Sequence, residues 1–139
     1  SDLPDTEKIG PKGGMLKVKV EGPERNPDGS KAKAKLEVEF KIPKDALDSE
    51  EVISMTVSGY YLSELEIAFT PPGLVFAEDA RLKLKVERDR VDLDVATLYG
   101  IHTSEEGEDV VSVEVEAKGG GDVILNIRVP GFSRYGLGE

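Results

Sequence analysis

The chain has 139 residues, 38% of them hydrophobic, a formal charge of −10 and no cysteine. This composition describes one domain large enough to bury a core without disulfides, and it removes thiolate metal sites from consideration. An acidic chain repels a phosphate backbone, so nucleic acid is not expected as a partner, and no apolar run is long enough for a membrane-spanning helix. The charge is uneven: lysines alternate with apolar residues from Lys31 to Lys44, whereas no Lys or Arg lies between Asp45 and Asp79. The asymmetry reads first as a solvated acidic face and second as a means of steering a partner. The chain begins at Ser1 with no signal pattern, which reads as a processed or excised segment.

Residues 1–14 are polar and carry Pro4, Gly10, Pro11, Gly13 and Gly14, so an extended N-terminal arm is expected, followed by a single domain over 15–139. Met15 to Val20 alternates, with Leu16, Val18 and Val20 on one face. A turn-rich loop punctuated by Pro23, Pro27 and Asp28-Gly29 follows. Ala32, Ala34, Leu36, Val38, Phe40 and Ile42 then share one face of a long strand that Pro43 stops. Residues 44–51 have the character of a single helical turn, and strands are expected over 52–57, 63–69, 81–87 and 91–95, with 97–101 extending the last. Residues 105–109 form an acidic loop around Gly107, and Val111, Val113, Val115 and Ala117 a strand. Gly119-Gly120-Gly121 then turns the chain into the strand from Val123 to Val129, a strong hairpin signal. Eight or nine short alternating strands with close turns predict an all-β, immunoglobulin-like sandwich of two antiparallel sheets. Its expected core is Leu36, Val38, Phe40, Leu82, Leu84, Val113, Val115, Leu125, Ile127 and Phe132.

Four segments in order carry a resemblance: Ile9-Gly10-Pro11-Lys12-Gly13-Gly14, Ile42-Pro43-Lys44-Asp45-Ala46-Leu47, Phe69-Thr70-Pro71-Pro72-Gly73-Leu74-Val75-Phe76, and the tail from Val129 to Tyr135. Together they resemble the ZU-five domain, the module shared by zonula-occludens proteins, uncoordinated-type receptors and ankyrins, and more closely its bacterial relatives. The resemblance implies a β-sandwich and a prokaryotic extracytoplasmic, cell-surface or secreted protein. Some eukaryotic members of the family cleave themselves within a His-Phe-Ser motif, the serine attacking the preceding carbonyl while the histidine takes its proton. Here Asp45 replaces a glycine, Pro72 replaces a histidine, and Gly131-Phe132-Ser133 replaces His-Phe-Ser. A serine without an adjacent base is a poor nucleophile. His102, the only histidine, falls in a stretch read as a separate loop. The sequence therefore favours Phe132, Ser133 and Tyr135 as a packing clasp over a scissile junction at Phe132–Ser133.

The remaining candidates are weaker in chemistry. Asp92 and Asp94, with Glu105, Glu106, Glu108 and Asp109, offer hard oxygen ligands for calcium, but without the spacing of a calcium loop, so no metal or other cofactor is expected. Leu3 and Ile9 are the apolar anchors of the arm, and Tyr60 and Tyr61 are aromatic candidates for a partner contact. The expected function is that of a non-enzymatic structural or protein-interaction module, self-assembling or bound to another protein. The alternative is a self-processing domain cleaved before Ser133. Donation of the arm as a strand to another copy ranks below disorder or docking on its own domain.

Overall fold

The computed structural model describes residues 4–139. Eleven strands form two antiparallel sheets that share one core, two or three strands more than the spacing of turns suggests. One sheet has the order β1 (Asp5–Ile9), β4 (Glu51–Ser58), β5 (Glu66–Thr70), β11 (Arg134–Gly138), β7 (Tyr99–Ser104), β8 (Gly107–Val111). The other runs β2 (Gly14–Val20), β3 (Leu36–Ile42), β6 (Val75–Val86), β10 (Val123–Gly131), β9 (Val113–Ala117).

Alternation does what a period of two requires. On β3, Leu36, Val38, Phe40 and Ile42 are buried while Glu37, Glu39 and Lys41 face out. Phe40 is the hub of an aromatic cluster, 4.4 Å from Phe69, 5.5 Å from Phe132 and 6.1 Å from Phe76 between ring centroids. This cluster joins the two sheets, since β3 and β5 belong to different ones.

The departures from the sequence reading are local. The expected arm is not free over its whole length: Asp5–Ile9 pairs antiparallel with β4, and Ile9 is buried. The strand expected from Ala32 begins only at Leu36, because the Lys33 and Lys35 N–H groups donate to the side chains of Asp89 and Glu87 instead of to a strand. Residues 44–51 form no helical turn, and Asp45 sits at φ 67°, which ends any helical run. The strand expected over 91–95 is absent. Asp92 accepts from the Ser63 N–H and hydroxyl, and Asp94 accepts from the Ala96 N–H, so their side chains compete with a ladder. Ser63 lies in the short 3₁₀ turn Leu62–Glu64, so the strand expected from 63 starts at Glu66. The acidic loop is instead the β7–β8 hairpin, turning near Gly107 at φ 120°. Eight of the ten expected core residues are buried; Val113 is only partly so and Val115 is 36% exposed.

Candidate functional site

The four segments that carry the ZU-five resemblance meet at one end of the sandwich. Asp45 N–H donates to the Pro11 carbonyl at 2.8 Å, Ala77 N–H to Ala46 at 2.9 Å, and Phe132 N–H to Leu74 at 2.7 Å. Asp45 stands where the family pattern has glycine, in the left-handed region that aspartate tolerates better than most residues. Gly13, at φ 81°, approaches so closely that a Cβ would lie 2.5 Å from the Ile42 carbonyl oxygen.

At Gly131 the constraint bears on chemistry. The register of β10 against β6 shifts between Val129 and Gly131, so Pro130 occupies an irregularity rather than ending the strand. A Cβ on Gly131 would lie 2.8 Å from the Leu74 carbonyl oxygen. A histidine does not fit at this position without moving the backbone.

The imidazole beside Ser133 comes from another strand. His102 is on β7, opposite Tyr135 of β11, and its Nε2 lies 2.5 Å from Ser133 Oγ. This corrects the expectation that His102 occupies a loop apart from Ser133. The imidazole is held against the Tyr135 ring, with centroids 4.7 Å apart. Tyr135 is buried, and that burial, with the charge of Asp79, pushes its hydroxyl pKa up, so the group stays protonated and donates to the Gly131 carbonyl at 2.7 Å. Asp109 of β8 stands opposite His102 on the other side, in the same cross-strand row.

The Phe132–Ser133 junction is fixed on both sides. The Phe132 ring stacks on Phe69 at 4.7 Å with an interplanar angle of 5°, and the Ser133 carbonyl accepts from the Phe69 N–H at 3.1 Å. An anchored backbone with a hydroxyl in contact with an imidazole is a nucleophile–base pair in geometry. A Ser–His hydrogen bond also serves purely as a strand-to-strand clasp, and the same contacts describe both uses.

The other expected sites fare differently. Asp92 is bonded to the distant Ser63 and Asp94 to its neighbour Ala96, Glu105, Glu106, Glu108 and Asp109 spread along the β7–β8 hairpin, and no group of three metal-ligating side chains forms among the described residues. Tyr60 is covered by the guanidinium of Arg90 at 4.4 Å and meets Tyr61 edge-on at 4.9 Å. Arg90 is itself buried and donates to the Ala34 and Tyr60 carbonyls. Tyr61 remains 44% exposed. Ile9 is buried within its own domain, and Leu3 lies outside the described residues.

Sequence reasoning missed His102 because pairing of β7 with β11 spans about thirty residues and leaves no local trace. The signal at hand was the β-forming run Tyr99, Ile101 and Thr103, which marks a strand with His102 on its other face. No family model matches the chain and no curated protein is similar to it.

Proposed function

We propose that this β-sandwich module processes itself between Phe132 and Ser133. The observation that carries the reading is the 2.5 Å contact of His102 Nε2 with Ser133 Oγ in the backbone-anchored turn between β10 and β11. With the proton on Nδ1, Nε2 accepts the Ser133 hydroxyl proton as Oγ attacks the Phe132 carbonyl carbon. The C–O bond forms, the C–N bond breaks, and the proton passes to the released Ser133 amine. Water then hydrolyses the ester, leaving a carboxylate on Phe132. Because β11 is hydrogen-bonded between β5 and β7, the severed strand stays in its sheet.

A second reading follows the expectation from sequence: a non-catalytic structural or protein-interaction module of a prokaryotic extracytoplasmic protein. It is favoured by the regular hydrogen bonding on both sides of the junction, which holds the peptide rather than straining it. In that reading His102–Ser133 is a clasp between β7 and the turn that carries the chain from β10 in one sheet to β11 in the other.

Intact mass of freshly purified protein, followed during incubation at neutral pH with and without hydroxylamine, separates the two. Self-processing yields a fragment ending at Phe132, accelerated by hydroxylamine attack on the ester, and Ser133→Ala and His102→Gln abolish it. A mass that stays whole under both conditions overturns self-processing and leaves the clasp.

A further inference from the structure

The outer face of the five-stranded sheet carries two parallel rows of charge. By register one row is Lys19, Glu37, Lys85, Ile124, Glu116, and the other Lys17, Glu39, Lys83, Asn126, Glu114. Each begins with a cation on the β2 edge, alternates across the sheet, passes one uncharged residue on β10 and ends with an anion on the β9 edge. Opposite charges opposite one another stabilise a sheet, and like charges do the reverse. Inside the sheet the alternation is used: Glu37 lies 3.9 Å from Lys19 and 3.6 Å from Lys85. Although desolvation works against it, the lysines at 17, 85, 19 and 35 together hold the Glu37 carboxyl below its usual range.

We infer that copies of this chain associate head to tail, β9 of one against β2 of the next. Five antiparallel strands leave the two edge strands running the same way, so a translated copy meets its neighbour in parallel, with the outer faces continuous. The register then sets Glu114 beside Lys17 and Glu116 beside Lys19, and each lysine gains the two-sided acidic environment that Glu37 has in the opposite sign. The Glu116 carboxyl is held ionised by its hydrogen bond to Lys118 and by the charges of Lys118 and Lys83. Such a contact is heterologous and does not close on itself, so it grows as a chain of copies. The edges of the six-stranded sheet are mainly acidic, with Asp5, Glu7 and a single cation, Lys8, on β1 and with Glu108 and Asp109 on β8, and Lys8 is already 3.9 Å from Glu50.

Asp5 guards the accepting edge. Its carboxylate takes the Lys17 N–H at 2.7 Å, the place where a neighbour's carbonyl would bond. Association displaces it, so removing Asp5 favours association. The junction rests on the protein-contact reading and is independent of cleavage.

Sedimentation velocity over a concentration series at low ionic strength tests it. The full chain is expected to show a weight-average mass that climbs without a plateau and falls toward monomer in concentrated salt, which screens such pairs. Glu114→Lys with Glu116→Lys should weaken association at least about tenfold with an unchanged circular dichroism melt, and Asp5→Ala should strengthen it. A full chain that remains monomeric at low salt, or a Glu114→Lys/Glu116→Lys variant that associates as well as the parent, overturns the inference. Either result leaves a protein-contact role with a different partner standing, since intact mass and capture of that partner are separate measurements.

Discussion

The two flanks of the sandwich are built from nearly the same pattern and end up in opposite states. On one flank β2 reads Leu16-Lys17-Val18-Lys19-Val20, and Leu16 and Val18 are buried; on the other β9 reads Val113-Glu114-Val115-Glu116-Ala117, and nearly all of it is exposed. The difference is the layer above. β1 lies over β2, with Ile9 close enough that a Cβ on Gly14 would meet its side chain at 3.1 Å. On the other flank only the start of β9 is close to the six-stranded sheet, where the side chains of Val111 and Val113 crowd Gly100 of β7, while Val115 is 36% exposed. Alternation specifies a strand and the face it presents. Burial needs a second element whose position alternation does not encode.

The largest test strips the closed flank. Replacing Ile9 with Ala removes the one buried apolar side chain that β1 brings to the core, and it should cost about 2–5 kcal/mol in urea unfolding. A cost below about 1 kcal/mol would mean that β1 is not what closes the flank. The test also bears on the arm. Strand donation between copies requires β1 to leave β4, and a large penalty for losing Ile9 shows how much that departure forfeits.

This flank also shows how far the sequence could be read. Strands with sustained alternation, β2, β3 from Leu36, the second half of β6 from Arg81, and β10, are legible, as are the triple-glycine hairpin and the two-sheet class, whereas the start of β6 over 75–80 is not. Illegible were elements decided by single side chains taking backbone partners. Asp89 and Glu87 hold the chain at Lys33 and Lys35, and Asp92 and Asp94 turn what looked like a strand into turns. Of the site, Phe132 and Ser133 were visible by motif. His102 was not, because its partner is set by long-range register, and the glycine at 131 looked like a lost base when it marks a close backbone approach to Leu74.

A middle-sized effect sharpens the comparison at the one point where the open flank is tight. Gly100 has no unusual φ, yet a Cβ there would lie 2.6 Å from Val111 Cγ2 and 3.5 Å from Val113 Cγ2. Gly100→Val should therefore destabilise by about 1–3 kcal/mol through crowding alone. The check is the thermal midpoint together with the near-ultraviolet signal of Tyr99 and Tyr135 on the two adjoining strands. If the variant melts like the parent, β8 and β9 are free to move apart and the flank is open along its full length.

The smallest effect is expected at Val115, which occupies on β9 the kind of inward position that Leu16 occupies on β2. Register places it beside buried Leu125, so by sequence it belongs to the core, but at 36% exposure it has already kept much of its contact with water. Truncation to alanine gives up little burial and leaves no closed cavity, because solvent reaches the site on the β8 side. Val115→Ala should change unfolding free energy by no more than about 0.5 kcal/mol when measured on dilute, monomeric protein. The same substitution on protein concentrated enough to associate separates two sources of stability. If β9 is the edge that meets the next copy, Val115 becomes buried there, and the cost of losing its methyl groups should rise with concentration. A cost that is large in dilute protein would show that the flank is already closed within one copy, and the contrast with β2 would fail. A cost that stays small at every concentration would confine the contact to the charged rows of the outer face, with the inward side of β9 left in water.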